Sequence, residues 1–149
     1  MTLPFADSAQ STLGIEWELA LVDAVSGELR SEAPDLLRAL HVTEGLAEDD
    51  VNPHMTSELL QNTVELVTGV HERVDAATAD LGRIAARVAD AAAARGISLF
   101  CQGTHPFADA IAQPSTPRER YDRMLDLTQY WGRQLLIFGC LLYTSPSPR

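Results

Sequence analysis

The chain has 149 residues, which suits one domain or a part of a larger one. Its hydrophobic content of 46% is typical of a globular protein, and its net charge of -10 argues against nonspecific nucleic-acid binding, which needs a basic surface. All eleven basic residues are Arg, which excludes chemistry that depends on a lysine, such as Schiff-base formation.

The sequence also argues against membrane insertion and secretion. No apolar run reaches the ~20 residues of a membrane helix, and the N-terminus lacks the basic and apolar regions of a signal peptide. Cys101 and Cys140 lie far apart in apolar runs, which predicts buried free thiols rather than a disulfide. We therefore expect a cytoplasmic protein with no nucleic-acid or membrane partner.

The first predicted element is a strand over residues 12–23. Its apolar and polar side chains alternate, so one face carries Ile15, Trp17, Leu19 and Leu21 and the other carries Glu16, Glu18, Ala20 and Val22. Ser26 and Gly27 predict a turn, and residues 28–30 predict the start of a returning strand. A short helix is expected over residues 32–40 with Pro34 in its first turn, followed by an acidic loop over residues 44–52.

Residues 55–68 are ambiguous, because Glu58 and Glu65 are seven positions apart. That spacing places them on one face of a helix but on opposite faces of a regular strand. The β-branched residues of the segment favour a strand. A bulge at Gln61 and Asn62 would return both carboxylates to one face, and this is the structure that we predict.

The second half predicts alternating helices and strands. Apolar residues at three- and four-residue steps indicate a helix over residues 70–95, ended by Gly96, and a buried strand follows over residues 97–101. Thr116, Pro117 and Glu119 form the pattern of a capping box for a helix that reaches residue 130 or 134. A strand is expected over residues 135–140, whereas the prolines of residues 144–149 rule out a continued strand.

Paired carboxylates are the strongest chemical signal. Glu16 and Glu18 project from the same strand face, where their like charges would raise each other's pKa unless a cation compensates. Mg²⁺ takes such oxygen ligands and is commonly shared with substrate phosphates. Alternation alone favours a solvated outer face of an edge hairpin for Glu16 and Glu18 over a metal site. Glu58 and Glu65 reverse that preference, because Glu65 lies within an apolar run.

Other polar residues give weaker signals. His105 follows a buried strand and could contact a substrate, although a histidine before a proline is more often a turn residue. A helix carries Arg118, Arg120 and Arg123, which suit phosphate or carboxylate recognition or ordinary surface pairing. Neither cysteine lies in a sequence context that would activate a thiol.

Five segments in this order resemble the type 2 glutamate–cysteine ligases, the carboxylate–amine ligases of bacteria. The segments are residues 12–18 (TLGIEWE), 58–69 (ELLQNTVELVTG), 103–107 (GTHPF), the Arg120–Tyr121 pair and residues 132–139 (GRQLLIFG).

The resemblance implies an α+β chain that forms part of a glutamine-synthetase-like catalytic fold, with a curved antiparallel sheet and helices packed on one side. It implies ATP-dependent ligation of L-glutamate to L-cysteine or another amine through an acyl phosphate, with Mg²⁺ or Mn²⁺ as cofactor. By position, the catalytic and metal-binding residues would be Glu16, Glu18, Glu58 and Glu65. Gly103, Thr104, His105 and Arg120 would lie near the substrate, and the full-length protein could be a homo-oligomer.

The chain departs from the family after Cys140, where members continue with a His-Val-His-Val-Gly strand. We therefore expect residues 1–140 to be the N-terminal part of one ligase catalytic domain. Residues 141–149 would be a tail foreign to the family, artefactual or disordered. The chain alone would then be an inactive fragment with exposed strand edges. The alternatives are an acidic α+β interaction module without catalytic activity and, less favoured, a metal-dependent hydrolase.

Overall fold

The computed structural model describes residues 11–47 and 50–144. Its elements, in chain order, are β1 (Leu13–Asp23), α1 (Ala33–Thr43), β2 (Met55–Ser57), β3 (Thr63–Val67), α2 (Val74–Ala93), β4 (Ile97–Phe100), α3 (Glu119–Thr128), a 3₁₀ turn (Gly132–Gln134) and β5 (Cys140–Thr144).

Strand β1 is the centre of an antiparallel sheet. One edge of β1 pairs with β3, which pairs in turn with β2. The other edge pairs with β5 near the start of β1 and with β4 near its end. The expected α+β class and antiparallel sheet are confirmed.

The main core lies between the sheet and the two long helices. Leu19 and Leu21 of β1 and Leu66 of β3 are buried against Ile84 and Val88 of α2, and α1 joins the same cluster. This confirms the predicted inward face of β1. The opposite face holds a smaller cluster of Ala20, Leu136 and Phe138, and the carboxylates project on this side.

The predicted bulged strand over residues 55–68 is wrong. Two strands, β2 and β3, form a hairpin in which Thr56 lies opposite Glu65. The link between them leaves the sheet because its backbone bonds to another loop: the amide of Gln61 donates to Pro114 O (3.0 Å), and the amide of Thr116 donates to Leu59 O (2.7 Å). Hydrogen bonds to the loop around residues 114–116 therefore take the place of the strand-to-strand hydrogen bonds that a single continuous strand would have formed.

The predicted capping box at Thr116 is also wrong. Helix α3 begins at Glu119 after Arg118, and no side chain caps it. The hydroxyl of Thr116 donates instead to Glu58 O (2.5 Å), so this residue fastens a loop rather than a helix end. Helix α2 begins at Val74, four residues later than predicted, because His71 is held beside β1.

Three smaller expectations fail. Residues 135–139 form an irregular segment and not a strand. Leu136 and Phe138 of this segment are buried, so the alternation of apolar residues reflects core packing without strand pairing. The strand expected after the turn at Gly27 is a single bridge between Val22 and Leu29. Both cysteines are exposed, so the prediction of buried thiols is wrong.

Within the described ranges, no helix combines the length and apolar character needed to cross a membrane. Strand β5 includes Leu141–Thr144, while residues 145–149 lie outside the described residues. The boundary expected at residue 140 stays a prediction.

Candidate metal and nucleotide site

Three carboxylates converge on the sheet face opposite α1 and α2. Glu18 of β1 and Glu65 of β3 are direct cross-strand partners, so the strand register alone brings their side chains together. Glu58 reaches the same place from the link after β2, and ligand oxygens of all three lie within 4.8 Å of one another. Glu18, Glu58 and Glu65 form what we call the carboxylate cluster.

Glu16 lies beside the cluster rather than in it. It projects from the same face of β1, two residues before Glu18, and its carboxylate accepts a hydrogen bond from the hydroxyl of Tyr143 (2.9 Å). Its negative charge nevertheless acts on Glu65. Of the four glutamates predicted from the sequence, Glu18, Glu58 and Glu65 therefore lie together, and Glu16 lies next to them.

The close approach of these carboxylates changes the pKa of Glu65. Its pKa is raised to about 7 by burial and by the charges of Glu58, Glu16 and Glu18, in that order, while Arg120 acts to lower it. Three neighbouring carboxylates thus oppose ionisation of the fourth. A bound cation would reverse that effect.

Backbone groups orient two members of the cluster. Glu18 Oε2 accepts from the amide of Gly139 (2.8 Å), and the amide of Glu18 donates to the carbonyl of Gly139 (2.8 Å). The carboxylate of Glu58 accepts from the amide of Leu59 (3.0 Å), and its carbonyl accepts the hydroxyl of Thr116. These contacts fix the directions of both side chains without neutralising their charges.

A cavity of about 190 Å³ opens beside the cluster. Its lining consists of Glu18, Glu58, Leu59, Leu60, Thr63, Tyr121, Met124, Leu135 and Ile137. Two carboxylates at the rim of a largely apolar cavity can bind a cation on one side and a small organic group on the other. Tyr121 and Gly139 belong to segments that carry the family resemblance, but no role was predicted for either.

Arg120 adjoins the site through Tyr121. Its guanidinium lies 4.4 Å from the centre of the Tyr121 ring and donates to the Tyr121 hydroxyl. Burial raises the pKa of Tyr121. The guanidinium also acts on Glu65, where its charge lowers the pKa. The substrate role expected of Arg120 stays a prediction.

The loop of Gly103, Thr104 and His105 is connected to the site only indirectly. His105 is buried, where Nε2 lies 2.9 Å from Gly27 O and Nδ1 accepts from the amide of Ala108 (3.2 Å). The hydroxyl of Thr104 donates to Leu136 O (2.6 Å), and the carbonyl of Gly103 accepts from Phe138, the neighbour of Gly139. These contacts give the loop a structural role; its substrate role stays a prediction.

The donor set suits a hard divalent cation. The cluster offers only carboxylate oxygens, which Mg²⁺ and Mn²⁺ prefer, and no histidine or cysteine joins it in the described part of the chain. Burial first, and then the charges of Glu58, Glu16 and Glu18, raise the pKa of Glu65, and a cation bound among these carboxylates would offset both effects.

Comparison with known proteins identifies the family. The model for "Glutamate-cysteine ligase family 2(GCS2)" matches residues 12–144. The chain belongs to this family. The match spans the carboxylate cluster, the Gly103 loop and Arg120, so the family assignment rests on nearly the whole described structure.

The relatives are much longer than this chain. A protein of Micrococcus luteus named "Putative glutamate--cysteine ligase 2" is 98% identical over 139 residues, which cover 93% of this chain and 35% of the relative. A relative from Paenarthrobacter aurescens is 50% identical over 93% of the chain and 37% of its own length. The chain thus spans about a third of the length of the curated relatives it matches.

A solved structure supports the fold. The crystal structure of glutamate–cysteine ligase from Francisella tularensis, in complex with AMP, superposes with a TM-score of 0.70 at 20% identity. The match covers 95% of this chain and 28% of that protein. At this identity the likeness establishes the fold alone.

Proposed function

We propose that the protein containing this chain is an ATP- and Mg²⁺-dependent ligase that joins L-glutamate to the amine of L-cysteine. The observation that carries the proposal is the carboxylate cluster, in which one oxygen from each of three side chains lies within 4.8 Å of the others. Two of the three, Glu18 and Glu58, line a cavity. Family membership supplies the reaction class. An ATP-consuming reaction agrees with the cytoplasmic location expected from the sequence.

In the proposed reaction, a γ-carboxylate oxygen of glutamate attacks the γ-phosphorus of ATP and ADP leaves. The amine then attacks the carbonyl of the acyl phosphate, phosphate leaves, and a γ-glutamyl amide forms. Phosphoryl transfer of this kind depends on positioning and on charge neutralisation more than on a protein nucleophile.

The residues of this chain have defined roles in the proposal. Glu18, Glu58 and Glu65 would hold Mg²⁺, with Glu16 beside them, and the bound ion would neutralise phosphate charge. The Gly139 amide keeps Glu18 turned toward the cluster. The guanidinium of Arg120, which faces the same region, would attract an anionic substrate group.

Metal titration tests the proposal on this chain. Mn²⁺ binding would be measured by electron paramagnetic resonance, with and without ATP, for the wild type, Glu18→Gln and Glu65→Gln. Glu28→Gln is the matched control, because Glu28 is an exposed carboxylate in the turn after β1. We expect each cluster variant to weaken Mn²⁺ binding at least tenfold and the control to match the wild type.

Equal and negligible binding by all four proteins would contradict the proposed site and favour the acidic interaction module. ATP-dependent amide formation is then measured in the full-length protein, where loss of activity in Glu65→Gln tests the ligase assignment itself. The inactivity expected of this chain alone, and the homo-oligomer expected of the whole protein, stay predictions.

A further inference from the structure

The β1–β3 ladder stops just before Thr68, at the end of β3 opposite the β2–β3 link. The last ladder pair is Glu16 with Val67. Beyond it, the amide of Thr68 donates to Ile15 O (2.9 Å), but the amide of Ile15 donates to the hydroxyl of Thr68 (2.8 Å) instead of a main-chain carbonyl. A side chain thus replaces the backbone acceptor that would continue the strand pair.

The Thr68 hydroxyl is fully engaged in this position. It accepts from Ile15 and donates to Gly69 O (2.9 Å), and Thr68 is only 8% exposed. Because the hydroxyl is buried, removing it would leave the amide of Ile15 without its partner. The contact lies one residue from Glu16 and three residues from Glu65.

Helix α2 contacts the loop after β3 through the side chain of Asp80. One oxygen of Asp80, Oδ2, accepts from the amide of Gly69 (2.9 Å) and from Nε2 of His71 (2.8 Å). The other oxygen accepts from Arg83 (2.9 Å), and the Asp80 side chain is 14% exposed. The backbone of His71 exchanges two hydrogen bonds with Leu13, of 2.7 and 2.8 Å.

Thr68, His71 and Asp80 therefore close the β1–β3 pair with contacts from three parts of the chain. We call these three residues the register clasp. A slip by one residue would move every side chain of β1 to the opposite face and would separate Glu18 from Glu65. The pair Glu18–Glu65 depends on the register that these contacts hold.

We infer that Thr68 and Asp80 are positioning residues for the carboxylate cluster, which they hold in the metal-binding register without contacting the metal. This role rests on the metal site proposed above. Groups that hydrogen-bond metal ligands directly commonly change metal affinity 10- to 100-fold when they are removed. Because Thr68 and Asp80 act through the strand register instead, we expect an effect at the lower end of that range.

The test compares Thr68→Val and Asp80→Asn, which preserve shape, with two controls. Thr78→Val removes an exposed hydroxyl that bonds within α2, and Asp90→Asn removes a charge farther along the same helix. Mn²⁺ affinity is measured well below each melting temperature. We expect about tenfold weaker binding for both clasp variants, a change within twofold for both controls, and recovery in Thr68→Ser, which restores the hydroxyl.

A clasp variant that melts at lower temperature but binds Mn²⁺ like the wild type would overturn the inference, because its role would be structural only. Cross-strand nuclear Overhauser effects between Glu16 and Val67, recorded without metal, separate this failure from failure of the metal site. If the wild type binds no Mn²⁺, loss of these signals in Thr68→Val supports the register role, and unchanged signals refute it.

Discussion

At the scale of single residues, Glu65 combines a favourable position for chemistry with an unfavourable one for stability. It is partly buried, faces Glu18 across the strands, and its pKa of about 7 lies well above the ordinary value of 4.5. Functional sites often carry such destabilising arrangements. The ionised carboxylate of Glu65 should therefore lower the free energy of unfolding when no cation is present and bind the cation when one is.

Glu65→Gln should stabilise the protein in EDTA at pH 8. A raised carboxyl pKa contributes stability below pH 4.5 that is lost as pH rises through about 7, so the wild type is penalised at pH 8 and the amide is not. We expect a gain in unfolding free energy of about 1 kcal/mol, discounted for partial exposure of the group. Urea unfolding measures it.

The same comparison at pH 4.5 serves as the control, because Glu65 is then protonated in the folded state. The difference between variant and wild type should shrink to near zero. A gain of equal size at both pH values would show that the stabilisation comes from packing rather than from charge.

At the scale of elements, the long patterns were the predictable ones. The alternation in β1 and the three- and four-residue steps in α2 each contain many apolar positions, so a single local conflict does not change the prediction. The site residues on β1 followed directly, since alternation alone places Glu16 and Glu18 on one face. Periodicity of this kind needs no knowledge of distant partners.

The remaining elements depend on contacts that sequence periodicity does not contain. Glu58 meets Glu65 because the side chain of Gln61 donates to Ser115 O and the hydroxyl of Thr116 donates to Glu58 O, each across more than fifty residues. These bonds bend the chain into a hairpin. The capping-box pattern failed for the same reason, because the hydroxyl of Thr116 donates to Glu58 O instead of capping α3. Strand β5 begins at Cys140, where the strand expected over residues 135–140 was to end. The preceding segment packs Leu136 and Phe138 into the smaller core instead of pairing with β1.

Asn62→Ala should therefore loosen the link that carries Glu58. Asn62 is fully buried, its side-chain amide donates to Gln113 Oε1 (2.9 Å), and its oxygen accepts from Thr63 (2.9 Å). We expect a loss of about 2 kcal/mol in unfolding free energy, because Gln113 and Thr63 lose buried partners. Gln102→Ala, at an exposed loop position, is the control.

Urea denaturation of the wild type, Asn62→Ala and Gln102→Ala measures the change in unfolding free energy. A change below about 0.5 kcal/mol for Asn62→Ala, the range typical of surface substitutions, would contradict a fastening role for this side chain.

At the scale of the whole molecule, apolar exposure concentrates in one stretch of the chain. Between residues 127 and 143, Leu136 and Phe138 are buried, but eight other large hydrophobic residues are more than a third exposed: Leu127, Tyr130, Trp131, Leu135, Ile137, Leu141, Leu142 and Tyr143. Contiguous apolar surface favours association, so we expect this stretch to form contacts between molecules, whereas a single exposed residue such as Val25 is ordinary. Beside it, β5 carries an edge that pairs with no strand in the described part of the chain.

The chain should consequently self-associate, and more strongly at high salt. Its net charge of -10 keeps copies apart, and ions screen that repulsion. Sedimentation velocity between 50 and 500 mM NaCl should show a growing oligomer fraction for the wild type. Leu142→Glu should reduce it several-fold, while Val25→Glu, at an exposed turn, should behave as the wild type.

A salt-independent monomer would contradict this expectation, as would an equal effect of both substitutions. The second outcome would mean that added charge, rather than its location, controls association.

The pairing of Glu18 with Gly139 has a consequence for biosynthesis. These residues are 121 positions apart, yet the amide, carbonyl and side-chain contacts between them orient a cluster carboxylate. At typical translation rates the ribosome needs on the order of ten seconds to add the intervening residues. Glu18 is therefore synthesised early, and the contacts that orient its carboxylate form only after Gly139 has been added.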